Sequence, residues 1–271
     1  MLRSAPVGQY IPRDSPIHRL DPRTKIAATF VLTVVVFLIG DFAGTALFAA
    51  LLVALFLAAQ IPLGFVLRGL RPVAFLIALT FILNLLFSGI RGGTPLISLG
   101  PVVITAEALS RAVFIALRLI LLIATTSLFT FTTSPMALTD GMERLLRPFR
   151  RIGVPGHELA MMMSIALRFI PTLLEETERI MKAQMARGAS FQEGNVLRRA
   201  RALLPVLVPL FLSAFRRADE LALAMEARAY RGGEGRTRMK ELRFSPRDLA
   251  AGVLTLALSA VVLLPRWLGL P

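Results

Sequence analysis

Two histidines and a few acidic clusters are the residues in this 271-residue chain whose types and spacing first suggest bond-making chemistry. His157-Glu158 opens like the zinc-binding motif HExxH, in which a second histidine one helical turn later completes the ligand pair. Met161 stands at that position and His18 is the only other histidine, so hydrolysis at a metal is not expected. Glu175-Glu176-Thr177-Glu178-Arg179 carries the paired glutamates used by intramembrane prenyl-protein proteases, but its Arg falls one residue early and the accompanying His motifs are missing. It reads as solvated charge. Gly232-Gly233-Glu234-Gly235-Arg236-Thr237 is glycine-rich, yet it lacks the GxxxxGK[ST] spacing, the P-loop Lys and a preceding strand, so the chain is not expected to hold ATP or another cofactor. With no cysteine, disulfides and thiolate chemistry are excluded.

What remains is arginine at repeated positions. Met185-Ala186-Arg187-Gly188 and Glu226-Ala227-Arg228-Ala229 share a small-Arg-small signature 41 residues apart, with Glu178 and Asp219 at equal offsets before them. A small residue permits close approach, Arg offers a planar five-donor fork, and Gly ends a helix in the left-handed conformation. Arg at a helix C-terminus is also favoured by the dipole. Two matching tips suggest two matching sockets. Ala229 stands where the first tip has Gly188, and the expectation is that helix termination slips to Gly232.

The elements that carry these tips are two long helices. His157 to Arg187 would span about 46 Å and Val196 to Arg228 about 50 Å at 1.5 Å per residue. Each is apolar near its start, through Leu159, Met162, Met163, Ala166, Phe169 and Ile170 in one and Leu203, Val206, Leu207, Leu210 and Phe211 in the other, and charged near its end. Met161-Met162-Met163 with Met181 and Met185 is either an adaptable docking surface or ordinary packing.

The rest of the chain belongs in a bilayer. It is 55% hydrophobic and 18% charged, with a mean hydropathy of +0.69, too apolar for a soluble domain of this length. The net charge of +14 does not point to nucleic acid, because the arginines stand in blocks beside apolar segments, as in cytoplasmic loops. No cleavable signal is expected at the N-terminus. Asp21-Pro22 reads as a helix start. Five spans follow: Ile26 to Ile39, Ala43 to Ile61, Val73 to Phe87, about Ala106 to Phe131, and Leu249 to Leu264 before the Pro265-Arg266-Trp267 anchor. Arg68 and Arg71 are expected in a cytoplasmic loop, and Ser88 to Pro101 in an outer one. Within the fourth span, Glu107 and Arg111 are expected to pair at the outer interface and Arg118 to point into the bundle. The reading is an all-α polytopic membrane protein with 1–131 as an N-terminal tail and four-helix membrane region. A cytoplasmic coupling domain, 132–247, has helices at about 135–147, 157–188 and 196–230, and 248–271 is the last span. The N-terminus is placed in the cytoplasm and the C-terminus outside.

The run Gln9-Tyr10-Ile11-Pro12, Ser15 to Lys25, Thr133-Ser134-Pro135, Ala166-Leu167-Arg168-Phe169-Ile170-Pro171 and both Ala-Arg tips, in this order, closely resembles the T component of energy-coupling factor (ECF) transporters. The resemblance implies a non-enzymatic membrane scaffold. It would join two cytoplasmic ABC-type ATPases, a homo- or heterodimer that hydrolyses the ATP, to a small membrane S component that captures a vitamin or metal. It also implies that Ala186, Arg187 and Gly188, and Ala227, Arg228 and Ala229, dock in grooves of the ATPase pair. Met162, Phe169, Leu207 and Phe211 are expected to meet the S component on the apolar halves of the long helices. A self-sufficient secondary transporter would normally show paired polar residues at the midplane of two repeated halves, where only Arg118 is a candidate. A membrane enzyme would need a catalytic constellation that is absent from the sequence.

Overall fold

In the computed structural model, residues 10–88, 95–99, 102–153, 155–191, 195–232 and 244–267 are described. Most of the basic linker after Gly232, the glycine-rich run Gly233 to Thr237 and the end at Pro271 lie outside them. The described chain is helical apart from one hairpin: α1 (Pro22–Leu38), α2 (Phe42–Ala58), α3 (Leu63–Ser88), β1 (Pro95–Leu99), β2 (Val102–Thr105), α4 (Ala106–Thr132), α5 (Pro135–Leu146), a 3₁₀ turn (Arg147–Ile152), α6 (Gly156–Ala186), α7 (Val196–Ala227) and α8 (Pro246–Trp267). Two compact units emerge. One is drawn from residues 10–141 and 244–267, the other from 142–232.

In the first unit, three helices begin at a side chain that satisfies free backbone N–H groups. Asp21 caps α1 by accepting from the Arg23 N–H at 2.9 Å, with Pro22 at the first position. Asp41 caps α2 through the Gly44 N–H at 2.7 Å, and Thr105 caps α4 through Ala108; each such cap contributes about 1 kcal/mol. Inside α4, the hydroxyls of Thr125, Thr126, Thr130 and Thr132 each donate to the carbonyl four residues earlier, so an apolar helix carries them without stray donors.

The core of this unit is a stripe at i, i+4 on α2, Phe48, Leu52 and Phe56, packed with Leu32, Val35 and Val36 of α1, Leu121, Leu128 and Phe131 of α4, and Val262 of α8. Gly44 permits the α2–α8 approach, because a Cβ there would stand 3.1 Å from the Val262 carbonyl. Among the described residues, four helices are long and apolar enough to cross a membrane, Gly64–Phe87, Ala106–Thr132, Gly156–Ala186 and Pro246–Leu264, with Phe42–Ala58 a shorter apolar helix. None of the apolar window in Gly64–Phe87 is buried; Leu67, Phe75, Leu76, Ile82 and Phe87 face outward, the pattern of a helix apolar on all sides.

Three local expectations are corrected. Arg68 and Arg71 are not in a loop but inside α3, which continues through Pro72. Proline removes one backbone hydrogen bond there without ending the helix, and the Arg68 guanidinium lies 5.1 Å from the Phe65 ring centre, one turn back. Part of the stretch expected as an outer loop is instead the antiparallel pair β1–β2, in which Ile97 faces Ile104 and Leu99 faces Val102, as the β-branched residues on either side of Gly100-Pro101 favour. Glu107 and Arg111 are both exposed and form no ion pair with each other or with any described residue.

The run Ser15 to Lys25 takes part in a buried polar cluster with the end of α4 and the start of α8. The Lys25 ammonium donates to the carbonyls of His18, 2.9 Å, and Thr132, 2.8 Å. Asp248 accepts from the backbone N–H of Asp21, 2.7 Å, and of Ser245, 2.8 Å. Asp21, Lys25 and Asp248 are all buried, and Arg23 lies 3.6 Å from Asp21 and over the Phe244 ring. Two carboxylates and two cations therefore balance. Removing one would leave an uncompensated buried charge, at a cost on the order of 3 kcal/mol or more.

His18 closes the cluster from the N-terminal side: Nδ1 lies 2.7 Å from Ser15 Oγ and Nε2 3.1 Å from the Ile11 carbonyl, while the Ile11 N–H donates to the Phe131 carbonyl. Burial holds the imidazole's pKa below its ordinary 6.5, and the Lys25 charge adds to this. A folded-state pKa below the unfolded one means that the stability is complete above 6.5 and is lost as the pH falls below it. Thermal unfolding in detergent should therefore show Tm dropping on acidification from pH 7 to 5, and His18→Gln should flatten that slope. An unchanged slope in the variant would assign the dependence to other groups.

Candidate functional site

The second unit carries the repeated tips. α6 and α7 pack on each other and are tied by Arg217 Nη2 donating to Glu176 Oε2 at 3.5 Å, both half-buried. Glu176 is therefore not merely solvated charge. The start of α6 is fixed by His157 Nδ1, 2.9 Å from Glu143 Oε1 on α5. A Cβ at Gly156 would stand 3.0 Å from Leu146, so the 3₁₀ turn brings α5 and α6 into close contact there.

Both tips end in the same geometry. At the first, the Ala189 N–H donates to the Gln184 carbonyl and the Gly188 N–H to the Met185 carbonyl, each at 3.0 Å. At the second, the Tyr230 N–H donates to Met225 at 3.0 Å and the Ala229 N–H to Glu226 at 2.8 Å. These are the paired six-to-one and five-to-two bonds of a left-handed helix cap. Arg187 and Arg228 have matching backbone angles, φ −90° and −91° with ψ 11° and 13°. Gly188 takes φ +86° and Ala229 takes φ +52°. The expected slip to Gly232 does not occur. Ala229 enters the left-handed region itself, which costs an L-residue about 1 kcal/mol.

Ala186, Arg187, Gly188, Ala227, Arg228 and Ala229 are all exposed, and neither Arg makes an ion pair or side-chain hydrogen bond with the described residues. An exposed guanidinium at a helix end can clasp a carboxylate with two parallel N–H donors. Met162, Leu207 and Phe211 are exposed on the apolar halves of the helices, and Phe169 is half-buried. In the other unit, Arg118 is half-buried within α4: Nη2 donates to the Ile39 carbonyl at 2.7 Å, closing the end of α1, and the guanidinium lies 4.8 Å from the Phe114 ring centre. Sequence reasoning missed the Lys25–Asp248 cluster and the Glu176–Arg217 tie. The spacing held a signal for the tie, because 176 and 217 differ by the same 41 as the tips.

The sequence profile of the CbiQ family, described as cobalt transport protein, matches residues 13–239, a stretch that includes the Asp21–Lys25 turn and both tips. The chain belongs to this family. Relatives named energy-coupling factor transporter transmembrane protein EcfT include one from Thermosediminibacter oceani, 57% identical over 267 residues, 98% of this chain and 100% of the relative. One from Clostridium kluyveri is 50% identical across 99% of this chain and 100% of its own length. One from Bacillus subtilis is 44% identical across 98% and 100%. The chain thus aligns with these EcfT-type members end to end, and with its apolar helices it is a multi-pass membrane protein.

Relief of the strain at Ala229 is measurable. Ala229→Gly should slow amide exchange at Tyr230 by about 2- to 5-fold, since 0.5–1 kcal/mol is gained at a position that glycine adopts freely. Gly188→Ala, where a Cβ meets nothing within 4 Å, should speed exchange at Ala189 by a similar factor. Equal exchange in parent and variants would show that the two caps are not held as described.

Proposed function

We propose that the chain is the transmembrane coupling subunit, or T component, of an ATP-driven ECF-type importer. The observation that carries this reading is the pair of identically capped tips, each presenting an exposed Arg at the end of a long helix. In this reading Arg187 and Arg228 seat in acidic grooves of two cytoplasmic ABC-type ATPases, which bind and hydrolyse the ATP. The long helices carry the resulting displacement to a small membrane S component seated on Met162, Phe169, Leu207 and Phe211, whose outward apolar faces suit a protein partner at the membrane. The S component captures the vitamin or metal; this chain holds no cofactor and does no chemistry. Residues 1–25 and 132–247 lie in the cytoplasm and Pro271 outside, by the distribution of Arg and Lys; a reporter at Pro271 active only in the cytoplasm would reverse the orientation.

If each Arg makes a desolvated, charge-assisted contact, its loss leaves a partner carboxylate unpaired and costs about 2–5 kcal/mol, roughly 30-fold or more in affinity. Arg187→Ala and Arg228→Ala should each weaken ATPase retention. They should do so to within a few-fold of one another because the caps match, and Arg187→Lys should recover only part of the loss. Since two tips on one scaffold bind bivalently, the double variant should lose the ATPases and substrate uptake altogether. Co-purification and uptake assays, with membrane insertion checked by expression, read this directly. Full assembly in the double variant would return both tips to solvated helix ends.

A further inference from the structure

The Glu176–Arg217 contact joins matched positions: each residue lies eleven places before the Arg of its own tip. Eleven residues of helix rise about 16 Å, so from this contact the two tips are reached along equal lengths of helix. The flanking sequences fit a meeting of equivalents. Glu175-Glu176-Thr177-Glu178-Arg179 on α6 aligns at the 41-residue offset with Arg216-Arg217-Ala218-Asp219-Glu220 on α7, and three of the four matched charged positions carry opposite signs. Two copies of one charge pattern would repel where equivalents meet, whereas an inverted copy attracts. Only at 176 and 217 is such an opposite-sign pair half-buried; Glu175, Arg179, Arg216 and Glu220 are exposed.

The same pattern opposes slippage. Moving α6 one turn toward its own start would bring Arg179 toward Arg217, and moving α7 one turn toward its own start would bring Glu220 toward Glu176, so each of these slips meets a like charge; the reverse slips set Leu173 or Ser213 at the contact and leave the ion pair unmade. Isolated, half-exposed pairs contribute little to stability; discrimination between registers is the role that suits them.

We propose that Glu176 and Arg217 are positioning residues that fix the register of α6 against α7 and so give the two tips equal reach toward a pair of similarly built docking partners. The docking part rests on the proposed T-component function; the register part does not.

The chain has no cysteine, so spin labels can be placed cleanly at the matched, exposed positions by Ser190→Cys and Arg231→Cys in the full-length protein. Glu176→Arg alone and Arg217→Glu alone should shift or broaden the label-to-label distance by about one helical turn, 5 Å, and the combined swap should restore the parent distribution. In the complex assembled with its ATPases in liposomes, the single reversals should lower uptake per ATP hydrolysed by about 5-fold or more, the low end of ordinary coupling, and the swap should recover it. If a reversal prevents insertion, Glu176→Gln and Arg217→Gln replace it with the same expected directions. Distances unchanged in the single variants, or a swap as perturbed as either, would overturn the register proposal. ATPases that fail to bind even the parent chain would overturn the docking reading while the distances still judge the register.

Discussion

A charge buried at the head of a helix bundle has to be answered by other groups in the same place, and the rest of this fold depends on how that is done around Lys25. Its ammonium takes two backbone carbonyls, one from the N-terminal segment and one from the end of α4, while Asp248 at the start of α8 takes the N–H of Asp21. No one of these segments can leave without stranding a polar group in a buried site. The apolar packing above the cluster, Phe48 and Phe56 against α1, α4 and α8, cannot by itself choose among helix arrangements in lipid, because lipid is as apolar as the side chains. The polar cluster supplies the selectivity that the apolar contacts lack.

The second unit solves a different problem, how to present two cations at defined ends. Helices this long are mostly exposed, so their termini rather than their cores carry the definition. A left-handed cap fixes where each helix stops, and the Glu176–Arg217 contact fixes where one helix stands against the other. The proline residues within the helices, Pro171, Pro205 and Pro209, each remove a backbone hydrogen bond, so definition is concentrated in these few contacts.

How much of this was legible depends on the range of the interaction. Asp21-Pro22 as a helix start, Gly188 as a helix end and the 41-residue repeat of the tips are local patterns, and all can be read directly. The continuation of α3 through Pro72 could not, because proline argues against helix, yet here the helix runs on with one backbone hydrogen bond fewer. Nor could the left-handed Ala229: propensity alone moves the stop to Gly232, whereas the hydrogen bonds of Tyr230 and Ala229 to the last turn hold it in place. The pairing of Asp21 with Asp248 joins residues 227 apart, and no window of sequence contains both. Glu176 looked solvated because its partner lies on another helix.

The chain leaves the first unit after Gly141 and is back in it by Phe244, and a residue near each point, Thr132 before the exit and Asp248 after the return, is bonded to the single turn from Asp21 to Lys25. Everything between them is, in topological terms, an insertion whose entrance and exit share one anchorage. Such a segment behaves as a cassette: it can be lengthened, shortened or exchanged for that of a relative without re-threading the membrane bundle, provided the anchoring turn is kept. One membrane body could thus carry different arms, exchanged by recombination at two neighbouring points.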